Sequence, residues 1–71
     1  MKSQYRDGIN SINSLEELLE LREFLLYDLR NAVKIRERIG ANVHLDEMID
    51  LFLDQLSLVD KKMGSIKSNN L

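Results

Sequence analysis

Apolar residues recur along residues 15–39 at steps of three and four: Leu15, Leu18, Leu19, Leu21, Phe24, Leu25, Leu26, Leu29, Ala32, Val33, Ile35 and Ile39. That spacing predicts one long amphipathic helix over 15–39. Ser14 precedes it and Glu17 stands three residues on, the pattern in which a hydroxyl and a carboxylate satisfy free N–H groups at a helix start. Gly40 suits the position just past the end, where the chain must turn away from helical geometry. A second periodic stretch, Leu45, Met48, Ile49, Phe52, Leu56, Val59 and Met63, predicts a helix over 44–63. Asp46 and Glu47 fall in its first turn, where the helix dipole favours acids, and Gly64 reads as its stop. Residues 1–13 are polar and read as a flexible arm, although Tyr5, Ile9 and Ile12 have the spacing of a short docked helix. Residues 64–71 read as a frayed polar tail. No internal repeat and no strand-like alternation is present.

The two periodic stretches differ in how far their apolar residues spread. At about 100° per residue, those of the second helix form a single stripe about 100° wide. Leu51 and Leu58, seven residues apart, add a weaker line on its flank. On the first helix the apolar arc covers roughly 220°, about twice what a surface helix normally buries. The short connection makes the helices fold back on each other, so the fold class is all-α, an antiparallel helical hairpin. One partner helix does not cover an arc of that width. A second copy of the chain, the N-terminal arm or a different protein would each complete the cover. Closed two-fold dimers dominate soluble oligomers, and the expectation is a homodimer of two hairpins in a four-helix bundle. Its interface is expected at Leu18, Leu21, Leu25 and Ala32. Phe24, Ile35, Leu51 and Leu58, together with Leu53, are the expected partner-binding surface.

Charge supports the antiparallel arrangement. The first long helix begins acidic (Glu16, Glu17, Glu20, Glu23) and ends basic (Arg30, Lys34, Arg36, Arg38), and the second runs from Asp46, Glu47, Asp50 and Asp54 to Lys61 and Lys62. Each exposed pair contributes only a few tenths of a kcal/mol, so such charges choose an orientation more than they stabilise it. Arg22 and Arg36 lie inside the apolar arc. Either their stems lie on apolar surface with the heads in water, or they pair with carboxylates across an interface and fix its register. The basic run is expected to complement the acidic start of the other helix. Contact with phosphates through Arg30, Lys34 and Arg38 is the alternative, and it would make the chain an RNA- or DNA-binding hairpin dimer.

The composition narrows the chemistry. Seventy-one residues without Cys make at most one small domain, with no disulfide or thiolate metal site to staple it. A net charge of −2 argues against a dedicated nucleic-acid or membrane-surface protein. The start, MKSQYRD, lacks a signal-peptide apolar core, and a cytoplasmic setting with no membrane partner is expected. His44 is the sole His and reads as a first-turn surface residue rather than a zinc ligand. Asp46, Asp50 and Asp54 line one helix face, unlike the alternating ligands of a calcium loop. Ser14 and Ser57 have no base in any recognisable constellation, and no glycine-rich phosphate loop occurs. No catalytic, cofactor-binding or metal residue is therefore expected. The outline is similar to that of Rop-type RNA-binding dimers, small type III secretion co-chaperones and sporulation aspartyl-phosphate phosphatases. The likeness is one of shape: the phosphatases carry an S-Q-x-L-D run in their second helix, and residues 51–60 here read LFLDQLSLVD. The chain reads as a non-enzymatic protein–protein interaction module, regulatory, adaptor or chaperone-like.

Overall fold

The described residues form three helices: α1 (Lys2–Ser11), α2 (Leu15–Ile39) and α3 (Val43–Asn69). The computed structural model describes residues 2–69, with side-chain burial for 7–68; no strand occurs among them. Tyr5, which shares the helical spacing of Ile9 and Ile12, lies outside the described side chains.

The helix ends follow from local chemistry. The Ser14 Oγ accepts a hydrogen bond from the Glu17 N–H at 3.3 Å, satisfying one free donor at the start of α2. At its end, the Gly40 N–H donates to the Arg36 carbonyl at 2.8 Å. Gly40 has φ 83° and ψ −166°, a backbone conformation essentially confined to glycine. Two residues later, the Asn42 Oδ1 accepts from the Leu45 N–H at 3.1 Å, and the Asn42 carbonyl accepts from the Asp46 N–H at 2.9 Å. Asn42 is thus the N-cap of α3, and the link between the long helices is three residues.

Two ion pairs define how the long helices lie. Arg22 Nε donates to Asp60 Oδ1 at 3.2 Å, and Arg36 Nε to Asp46 Oδ1 at 2.6 Å. The partners are fourteen residues apart on both helices, and one number rises as the other falls. α2 and α3 therefore run antiparallel in constant register over about 21 Å, at 1.5 Å per residue. Arg22 and Arg36 pair with carboxylates of their own chain and not across an interface, and with side chains 42% and 49% exposed their heads also reach water. Of the basic run, Arg30, Lys34 and Arg38 are exposed and form no ion pair among the described residues.

The arm is helical and docked. Ile9 is 4% exposed and joins Leu18, Leu25, Leu56 and Val59 in the core, with Ile12 packed at its margin. Because α1 joins α2 through residues 12–14, it must lie at the base of the hairpin, beside the C-terminal half of α3, which it contacts. This explains the other departure from the sequence pattern. The tail does not begin at Gly64: α3 continues to Asn69. Ile66 extends the stripe of Val59 and Met63 and packs against the core that Ile9 completes. A helix-interior glycine costs only about 1 kcal/mol, which that burial offsets.

The molecule is consequently a three-helix bundle at its base and a two-helix hairpin at its loop end. Its Cα trace measures 46 × 23 × 14 Å. This assigns the residues expected at a dimer interface differently. Leu18, Leu25 and Ala32 are 0%, 5% and 4% exposed in a single chain, and Leu21 is half-buried against the core. Leu18, Leu25 and Ala32 are thus interior residues of the single chain with no surface for a second copy, whereas Leu21 keeps part of its surface.

Candidate functional site

The surplus apolar surface lies elsewhere. Among the described residues, six apolar side chains are buried, whereas ten large ones are exposed: Leu19, Phe24, Tyr27, Val33, Ile35, Ile39, Val43, Met48, Leu51 and Leu53. Scattered exposure of this kind is ordinary, and only contiguity makes it informative. The helical positions supply that test, because the core-facing lines of both helices are known.

The seam between α2 and α3 has two edges. Beside Leu56 and Val59 on α3, Gln55, Leu58 and Lys62 are half-buried on one side, while Leu53, Ser57 and Asp60 are exposed on the other. α1 therefore lies along the first edge. At 1.5 Å per residue its ten residues reach about 15 Å, against about 40 Å for α3. Beyond that reach, the same edge carries Ile35 and Ile39 from α2 and Met48 and Leu51 from α3, all exposed. They continue the line that α1 covers at the base.

The second edge carries both ion pairs. Leu29 and Leu53 stand midway between Arg22–Asp60 and Arg36–Asp46, and Leu53 is 50% exposed. On the adjoining flank of α2, Leu19, Leu26 and Val33 form a row spaced by seven. Leu19 and Val33 are 46% and 38% exposed, and Leu26 is half-buried. Each follows by one residue a member of the buried line Leu18, Leu25, Ala32. So α2 has two adjacent apolar lines, one closed by its own chain and one open at Leu19 and Val33, with Leu26 between them packed in part against the core. The broad arc in the sequence is the sum of the two.

The residues expected to bind a partner divide accordingly. Ile35 and Leu51 sit together on the open half of the first edge. Phe24 is exposed on the same flank of α2 as Ile35, three turns nearer the base. Leu58 is not free surface: it packs against the core on the side where α1 lies. Its sequence position seven residues from Leu51 is shared, but α1 covers one of the two.

Polar chemistry is sparse and dispersed. A shallow depression lined by Val33, Arg36, Asp46, Ile49 and Asp50 marks the loop end of the ion-pair edge. Another, lined by Asn31, Lys34, Ile35, Glu37 and Arg38, lies on α2. Both are open to solvent, which suits contact with another surface better than enclosure of a small molecule. His44 is exposed. Among the described residues no group of three His, Cys, Asp or Glu comes together as metal ligands, and no helix is long and apolar enough to cross a membrane. No protein family, curated protein or solved structure matches the chain.

Proposed function

We propose that this protein is a protein–protein interaction module that acts by binding rather than by catalysis, as a homodimer of hairpins in a four-helix bundle. The observation that carries this reading is the unfinished first edge. α1 lays one helix along the base half of the seam and stops, and the loop half presents Ile35, Ile39, Met48 and Leu51 uncovered. An amphipathic helix from a partner fits there as α1 fits below, with apolar anchors facing the stripe. A regulatory or adaptor role follows from such a surface, because occupancy is set by the partner's concentration and affinity.

The test is a double substitution, Ile35→Ser with Leu51→Ser. Both side chains are exposed, so helicity and melting temperature should change little. The proteins retained by the tagged wild-type chain should be lost from the variant. Retention of the same proteins by both chains would exclude this edge as the binding surface.

A second reading rests on the exposed Arg30, Lys34 and Arg38, which form no ion pair among the described residues. If these residues hold phosphates, RNA or DNA binding will weaken steeply with salt, with a slope that falls by about one for each residue replaced. The acidic first half of α2 and the net charge of −2 favour the protein partner over this alternative.

A further inference from the structure

We propose that the second copy docks on the ion-pair edge, with its α2 antiparallel to the first and a two-fold axis passing beside Leu26. This rests on reading the protein as a dimer, and it gives that dimer its face and its orientation.

The apolar row supplies the contact. Leu19, Leu26 and Val33 recur every seven residues, the repeat that keeps one line of a helix against a neighbour when the two coil gently together. The exposure of Leu19 and Val33 is unexplained inside one chain, whose core takes the parallel line one residue earlier, and Leu26 between them is only half-buried. Leu53 widens the row from across the seam. The opposite edge is less suited to a second copy, since α1 occupies its base half.

The charges beside the row select the orientation. On the α2 flank, Glu16, Glu20 and Glu23 precede Leu26, and Arg30 and Lys34 follow it. None of these five forms an ion pair among the described residues of its own chain. With Leu26 beside the axis, Leu19 of one copy lies by Val33 of the other. Glu23 then lies by the other copy's Arg30, and symmetry repeats the pair. Glu16 and Glu20 fall towards the other copy's Lys34. A parallel arrangement would set acid on acid and base on base. The pattern is thus self-complementary under a two-fold axis, the defining property of an isologous interface. Glu37, further along the flank, falls beside the first turn of the other α2, where the helix dipole favours a carboxylate.

The absence of Cys allows a direct test, because a single introduced cysteine reports its own neighbour. Under mild oxidation, Leu26→Cys should link to its own symmetry mate. A mixture of Leu19→Cys and Val33→Cys chains should link to each other, with neither linking to itself. Leu51→Cys, on the opposite edge, should stay reduced. Independently, Glu23→Lys and Arg30→Glu should each weaken the dimer about tenfold at low salt, as two symmetry-related attractions become repulsions. The double variant should restore it. Glu23 and Arg30 are exposed, so neither change perturbs the core, and circular dichroism checks that the fold is kept. A wild-type chain that is folded and monomeric at tens of micromolar would overturn this inference together with the dimer reading. A dimer linked by Leu51→Cys and not by Leu26→Cys would overturn the face alone. Self-linking of Leu19→Cys would overturn the antiparallel orientation.

Discussion

Replacing Ile9 by Ala should release α1 while leaving the hairpin folded. Ile9 is the one buried side chain that α1 contributes among the described residues, and it is 4% exposed. Truncating a buried Ile to Ala costs about 2–5 kcal/mol when the surroundings hold their shape. By itself α1 is a weak helix. Its ten residues include Gly8, and an isolated helix shorter than about 12–15 residues is marginal in water. Fixing each backbone residue costs about 1–2 kcal/mol, so the net gain from docking is a small difference between large terms. A loss of 2 kcal/mol or more exceeds such a margin, and α1 should undock and unfold instead of leaving a cavity. α1 supplies 10 helical residues against 25 in α2 and 27 in α3, so the helical ellipticity should fall by about a sixth. The melting temperature should fall by roughly 10 °C, taking about 4–8 °C per kcal/mol for a domain of this size. Amide exchange locates the change: protection should vanish in residues 2–11, drop beyond Gly64 where Ile66 loses its neighbour, and persist at the centre of α2. Unchanged protection in α1 would refute the argument that Ile9 anchors it.

The glycines and the cap give further expectations. Gly64→Ala should stabilise the chain by about 1 kcal/mol, since the residue is helical and an added Cβ meets nothing within 4 Å. Gly40→Ala should have the opposite sign at about 1–3 kcal/mol despite equally open space, because φ 83° with ψ −166° strains any L side chain. Asn42→Ala should cost about 1 kcal/mol in chemical denaturation and fray the first turn of α3, with Asn42→Asp close to neutral.

The long helices were legible in the sequence because their signals are local. Ser14 and Glu17 mark the start of α2, Gly40 marks its end, and the three- and four-residue spacing in between has no competing period. Asn42 carried the signal for the start of α3, one residue earlier than the apolar stripe suggests. What was illegible depended on α1. Its polar composition hides Ile9, the one buried side chain among those described, and the core that Ile9 joins is what Ile66 packs against past Gly64. The same contact decides the surface. Leu18, Leu25 and Ala32 looked like an interface because the apolar arc of α2 has no visible division into closed and open lines. Leu58 looked equivalent to Leu51 because a helix seven residues on presents the same face, whichever half a third helix happens to cover. Arg22 and Arg36 were recognisable as special from their place within the arc. Their carboxylate partners required the register, which no single helix encodes.

The central claim is that the open apolar surface of one chain is closed by another, and the mass of the native particle tests it most directly. Sedimentation equilibrium at micromolar concentration should return twice the 8.3 kDa of one chain, with the single chain appearing only on dilution. A sharp, fully helical species of 8.3 kDa across that range would contradict the account.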